Sequence, residues 1–290
     1  MRTSTVYLSA LDSENTILLS TQPLEEEHTK EEIEYLLDYC SDVGIRKKVN
    51  QDACCVRILK IPSHTIVLAV VCDGVGGMVE GEYASHNTVL AFHNWFDYTL
   101  SKKAVDVPEG DELFDFLIAD MKALIIQQNE AVYSYAGERG IQTGTTLTAM
   151  LFVDDDYFIA QIGDSRAYQV VNQVFQLTED QSFVAKEVKA GRMTKEEAKR
   201  DRRRNIILQC LGATAFIEPV YLTGKVKKDA VYFLCSDGFV HELEEFEIEQ
   251  IMNPHNMCDL NQAHECLLSG IEMVKTRGET DNITVVLVRT

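Results

Sequence analysis

From Tyr39 onward, hydrophobic and polar positions fall into short apolar runs that alternate with longer amphipathic stretches. Runs rich in β-branched and aromatic residues predict strands at 53–59, 65–72, 145–153, 157–162, 167–171, 174–177, 231–235 and 283–289. Several are apolar at nearly every position, as a strand covered on both faces requires; a strand with one wet face would alternate. Apolar residues spaced three and four apart predict helices over 82–102, 111–136, 184–191, 194–202, 243–252 and 259–277. Asn172 and Gln173, between two short runs, read as a hairpin turn. Together these elements predict helices layered on largely antiparallel sheet.

Residues 1–38 depart from this pattern, with nine acids against two bases. The stretch 25–39 reads as an acidic helix with Ile33, Leu36 and Leu37 on one face, and 1–38 as an extension ahead of a main domain at 39–290. The whole chain carries 46 acidic and 27 basic residues, a net charge of −19, which excludes a nucleic-acid binder that works through a broadly basic surface. Its eight cysteines form no CxxC pair and no zinc-type Cys/His spacing, and read as buried thiols in a reducing cytoplasm. The N-terminus has no long apolar core of a secretory signal, and the apolar runs fall well short of the ~20 residues that cross a bilayer. A soluble, cytoplasmic protein with no nucleic-acid or membrane partner is the expectation.

The aspartates change the picture. Asp73 follows HTIVLAVVC, Asp164 follows YFIAQIG and Asp237 follows VYFLCS, so each sits just past the end of a buried run. Asp52 and Asp281 stand just ahead of ACCVRIL and NITVVLV. If 53–59 and 65–72 form a hairpin through Ile61 and Pro62, antiparallel pairing brings Asp52 beside Asp73, and pairing of 231–235 with 283–289 brings Asp237 beside Asp281. One aspartate at a strand end is ordinarily a turn former or helix cap. Carboxylates gathered at one rim repel each other unless cations or protons intervene, and an oxygen-only set favours Mg²⁺ or Mn²⁺ over zinc or copper. Two such ions would generate a hydroxide nucleophile and clamp a phosphoryl group, which is the chemistry of phosphate-ester hydrolysis. The Gly-rich stretch at 74–77 lacks both the GxGxxG spacing and a Walker lysine, so nucleotide binding is rejected.

At the level of motifs the chain resembles the PP2C (PPM) family of metal-dependent serine/threonine protein phosphatases in its bacterial form. The segments that carry the resemblance are Asn50-Gln51-Asp52, Cys72-Asp73-Gly74-Val75-Gly76-Gly77 with Gly81-Glu82, Thr143-Gly144-Thr145-Thr146, Ile162-Gly163-Asp164-Ser165-Arg166, Leu177-Thr178-Glu179-Asp180, Cys235-Ser236-Asp237-Gly238 and Asp281-Asn282-Ile283-Thr284, in the family's order. The resemblance implies an α+β fold, a β-sandwich of two mainly antiparallel sheets flanked by helices in four αββα layers. It implies that Asp52, Asp73, Asp237 and Asp281 hold two Mn²⁺ or Mg²⁺ ions, with Gly74 contributing its carbonyl, and that Asp164 sits by a third. Asn282 would orient Asp281. Substrates would be phosphorylated Ser/Thr proteins, supplied by a cognate Ser/Thr kinase, and the chain would act as a monomer.

Four positions depart from the family pattern. Gln51 stands for a common Glu, and Lys47, with Arg46 adjacent, stands for the phosphate-binding Arg. His241 stands for an Asp or Asn near the third metal, and the loop after Asp73 holds Val75 and Met78 without a histidine. These departures motivate two rival readings, a catalytically silent adaptor and a hydrolase of small phosphate esters. The segment 180–212 resembles the family's flap, and between Lys186 and Arg204 it carries nine bases against four acids. It is expected to steer acidic phosphoprotein segments toward the metals.

Overall fold

The computed structural model describes residues 3–4, 33–61, 64–75, 78–100 and 111–290. Two sheets stack face to face. With strands β1 (Thr3–Ser4), β2 (Leu36–Asp42), β3 (Asp52–Ile61), β4 (His64–Asp73), β5 (Leu147–Val153), β6 (Asp156–Ile162), β7 (Arg166–Val170), β8 (Val174–Gln176), β9 (Val220–Lys225), β10 (Val231–Cys235) and β11 (Ile283–Arg289), the first sheet has the order β1-β3-β4-β5-β6-β9 and the second β2-β11-β10-β7-β8. Every pairing within them is antiparallel.

The continuous apolar runs follow from this stacking. Side chains alternate faces along a strand, so Val67, Ala69 and Val71 of β4 point between the sheets, where they meet Met150, Phe152, Tyr232, Leu234 and Val286. Their neighbours Ile66, Leu68, Val70 and Cys72 point outward onto α1 (Gly81–Asn94) and α2 (Asp111–Arg139), through Ala84, Phe92, Leu117 and Met121. On the other side Phe233, Cys235, Val285 and Leu287 pack on α5 (Asp237–Val240), α6 (Glu245–Ile251) and α7 (Leu260–Thr276), through Phe239, Ile251, Leu267 and Ile271. Each such side chain taken fully out of water contributes about 1.5–3 kcal/mol, so neither face of either sheet could be polar without a large loss. The layers are helix, sheet, sheet, helix, as the resemblance implies. The helix from 81 widens into a π-helical stretch at Trp95–Leu100 before the segment 101–110, which lies outside the described residues.

Two expectations are corrected. Part of the acidic helix at 25–39 is strand: β2 pairs along its length with β11, from Leu36↔Arg289 to Asp42↔Ile283. Leu37 and Tyr39 face the inter-sheet core while Leu36 and Cys40 face α7, and this period of two overrides the helix-like pairing of Leu36 with Leu37. The folded unit therefore begins ahead of Tyr39; residues 25–32 of that stretch lie outside the described residues. Strand β9, which the apolar pattern does not predict, is an edge strand on β6 whose residues are largely solvent-facing, so no apolar run marks it.

Candidate metal centre

Strand register sets the site. Asp52 opens β3 and Asp73 closes β4, and the two are direct partners across the ladder. In the other sheet Cys235 pairs with Val285, which puts Asp237 and Asp281 at the matching end of β10 and β11. The sheets meet there: Ser236 Oγ donates to Asp52 Oδ2 at 2.8 Å and accepts the backbone N–H of Thr284 at 3.0 Å. Gly74 runs against Gln51, donating its N–H to that carbonyl at 3.0 Å, and any side chain at 74 would collide with the backbone of Gly81 and Gln51. Only glycine allows the chain to pass so closely. Asp164 follows β6 on the same rim, beside Ser165, whose hydroxyl is 2.7 Å from that of Thr146. The structure thus brings together Asp52, Asp73, Gly74, Asp164, Asp237 and Asp281.

Burial makes the cluster costly. Asp52 is pushed up to about 7, first by burial and then by Asp237 and Asp281, against the lowering effect of hydrogen bonds from Thr284 and Ser236. Asp237 rises to about 6 through burial and the charge of Asp281. Asp164 rises to about 8 through burial, Asp237 and Asp180, and Asp73 moves well above the usual carboxylate range through burial, Asp52 and Asp237. Asp52 Oδ1 and Asp237 Oδ1 are both buried without a hydrogen-bond partner. An orphaned carboxylate oxygen among like charges is unfavourable, and a hard cation is the partner that oxygen-only groups best accept. Among the described residues no three His, Cys, Asp or Glu side chains close into a ready-made cage.

Of the groups that hold these carboxylates, sequence reasoning anticipated Asn282 beside Asp281 and missed Ser236 and Glu279. Asn282 donates its N–H to Asp281 Oδ1 at 2.8 Å, and its side chain staples the 43–51 loop by accepting from Gln51 N–H at 2.9 Å and donating to the Val43 carbonyl at 2.9 Å. Glu279, buried, accepts the N–H groups of Thr280 and Asp281 on one oxygen, at 2.6 and 2.9 Å. Its other oxygen has no hydrogen-bond partner and lies 4.0 Å from His241 Nδ1, which is itself 3.7 Å from Asp237 Oδ2. Burial, with Arg166 and Arg204, lowers His241 to about 4, so at neutral pH it is an uncharged neighbour of Asp237. Gln51 Nε2 donates to Glu82 Oε2 at 3.0 Å, so the neutral residue at 51 sits beside a carboxylate from α1.

The basic residues divide. Lys47 Nζ lies 2.7 Å from Asp281 Oδ1, whereas Arg46 is exposed with no ion-pair partner among the described residues. The flap folds as α3 (Phe183–Lys189), capped by Ser182, and α4 (Lys195–Arg200), started by a capping box of Thr194 and Glu197. Gln181 ties its root to the Asp164 loop through both the N–H and the carbonyl of Gly163. Much of its charge is spoken for: Lys189 pairs with Glu179, Arg192 with Glu187, Arg203 with Asp201, Lys199 with Glu244 and, at 3.9 Å, Arg204 with Glu242. Lys186, Lys195, Arg200 and Arg202 have no ion-pair partner among the described residues.

Residues 45–267 match the family described as Protein phosphatase 2C. The chain is 32% identical over 252 residues to the protein phosphatase PhpP of Streptococcus pneumoniae, covering 86% of this chain and 94% of that one. Its fold superposes with TM-score 0.76 on a serine/threonine phosphatase of Staphylococcus aureus, at 25% identity over 92% of this chain and 99% of the other. It matches the catalytic domain of the phosphatase PstP, solved in complex with two manganese ions, with TM-score 0.69 and 28% identity over 88% of this chain and 97% of that one.

Proposed function

The chain belongs to the protein phosphatase 2C family, and from that premise we propose how its own residues serve the activity. It is a metal-dependent serine/threonine phosphatase of the PP2C type. Two Mn²⁺ or Mg²⁺ ions would be held by Asp52, Asp73, Asp237, Asp281 and the carbonyl of Gly74, and Asp164 would stand by a third. The observation that carries this assignment is the pair of buried, unpartnered oxygens, Asp52 Oδ1 and Asp237 Oδ1, within a rim of five aspartates whose pKa values are raised or whose charges raise the others.

When bound, the ions supply a nucleophile from water and draw negative charge off the phosphoryl oxygens. Ser236 fixes the direction of Asp52, Asn282 and Glu279 fix the turn that carries Asp281, and Gly74 lets the backbone approach where a side chain would block it. Arg46, the sequence neighbour of Lys47, offers an exposed guanidinium for the substrate's phosphate, with the planar fork that phosphate recognition favours. The substrates are phosphorylated Ser/Thr side chains of proteins, made by a protein kinase, and the enzyme works as a cytoplasmic monomer. Among the described residues no helix is long and apolar enough to cross a membrane. The catalytic unit takes in β2 from Leu36, which joins the second sheet, and β1 at Thr3–Ser4, which pairs with β3 in the first.

Calorimetric titration with Mn²⁺ tests the assignment. Two ions should bind per chain, and Asp237→Ala should lose at least one of them. Unchanged stoichiometry and affinity in Asp237→Ala would remove that residue from the metal set.

A further inference from the structure

Lys47 stands where the family resemblance places a phosphate-binding arginine, but its ammonium is engaged elsewhere. It lies 2.7 Å from Asp281 Oδ1, the same oxygen that accepts the Asn282 N–H at 2.8 Å. Two donors therefore converge on one carboxylate oxygen, and among the described residues no hydrogen bond reaches Asp281 Oδ2. Burial works against the ammonium, yet the hydrogen bond and charge of Asp281, with the charges of Asp73 and Asp237, raise its pKa all the same. The lysine is held in the field of three rim carboxylates, with only about a third of its side chain exposed (32%).

We infer that Lys47 is a positioning residue for Asp281, holding Oδ1 so that Oδ2 is left for a cation, and that the charge available to substrate phosphate on this loop comes from its exposed neighbours Arg46 and Lys48. The inference rests on the metal reading of the rim. A ligating carboxylate hydrogen-bonded on its outer oxygen is oriented and loses less freedom when it binds metal. A lysine that instead competed with the metals would act with the opposite sign, because removing a cation beside two divalent ions strengthens their binding.

The experiment measures two constants in four proteins: Mn²⁺ affinity by calorimetry, and inhibition by inorganic phosphate at saturating Mn²⁺, in wild type, Lys47→Met, Lys47→Arg and Arg46→Ala. Lys47→Met should weaken Mn²⁺ binding about tenfold, the size typical of outer partners of metal ligands, while phosphate inhibition shifts less than about twofold. Lys47→Arg should recover most of the Mn²⁺ affinity. Arg46→Ala should do the reverse, leaving Mn²⁺ affinity intact and weakening phosphate about fivefold or more. The inference is overturned if Lys47→Met binds Mn²⁺ as tightly as wild type or tighter, or if its larger effect is on phosphate. Failure of the wild type itself to bind Mn²⁺ would overturn the metal reading beneath it.

Discussion

The hydroxyl of Ser236, on one sheet, donates to the carboxylate of Asp52, on the other, at 2.8 Å. That bond crosses the sandwich at the point where the carboxylates gather. It orients one oxygen of Asp52, while the other, buried and unpartnered, is the one proposed to meet a cation. Ser236→Ala would take a hydrogen bond from Asp52 Oδ2 and strand the Thr284 N–H that the same hydroxyl accepts. The expected cost is about 1–3 kcal/mol in urea unfolding. Mn²⁺ affinity should fall at least about tenfold. A variant as stable as wild type, with unchanged affinity, would show the bond to be incidental.

Much of the rim is legible in the amino-acid sequence. The apolar runs ending in Asp73 and beginning after Asp52 are close enough in sequence to form a hairpin, so antiparallel pairing alone brings the two acids together, and the register Asp52↔Asp73 bears that out. Ser236, Glu279 and the Lys47 to Asp281 contact are not legible there, because each joins residues from separate elements by a side-chain geometry that spacing does not encode. Leu36 and Leu37 mislead in the other direction. Adjacent leucines beside an acidic run carry no period, and only the partner strand β11 decides that they face opposite sides. The net charge of the flap is visible in its composition, but not that several of its bases are engaged by nearby acids.

Stability without metal should fall as pH rises. Asp237, Asp52 and Asp164 titrate at about 6, 7 and 8 in the folded chain, above their ordinary 3.8, chiefly through burial. Between about pH 4 and 8 the folded state then binds more protons than the unfolded one, so stability declines through that window. The EDTA-treated protein should be less stable at pH 8 than at pH 5, and Mn²⁺ should restore the difference at pH 8. Asp52→Asn should flatten the slope. A metal-free protein that gains stability from pH 5 to 8 would contradict the origin assigned to these shifts.

Glu279 separates geometry from charge at the Asp281 turn. Glu279→Gln keeps an acceptor for the N–H groups of Thr280 and Asp281, whereas Glu279→Ala removes it. The alanine variant should lose about tenfold in Mn²⁺ affinity, and the glutamine variant should stay within about threefold of wild type. Equal losses in the two would assign the effect to the carboxylate's charge beside His241 instead.

Steering by the flap should depend on its unpaired bases. Reversing Arg200 and Arg202 to Glu should lower kcat/KM for an acidic phosphopeptide about three- to tenfold at low salt, and the effect should shrink as ionic strength rises. Turnover of a small aryl phosphate should change less than about twofold, since a small dianion samples little of the flap's field. An equal loss on both substrates would place the flap's role in the chemistry rather than in recognition.

The most direct test of the carboxylate rim as a metal-dependent phosphatase centre is hydrolysis of a phosphothreonine peptide by wild type and Asp237→Ala, each with Mn²⁺, with Mg²⁺ and with EDTA. Phosphate should be released by the wild type only with a divalent cation, and the substitution should lower that rate at least about a hundredfold. Release that persists in EDTA, or a Mn²⁺-dependent rate that Asp237→Ala leaves intact, would contradict it.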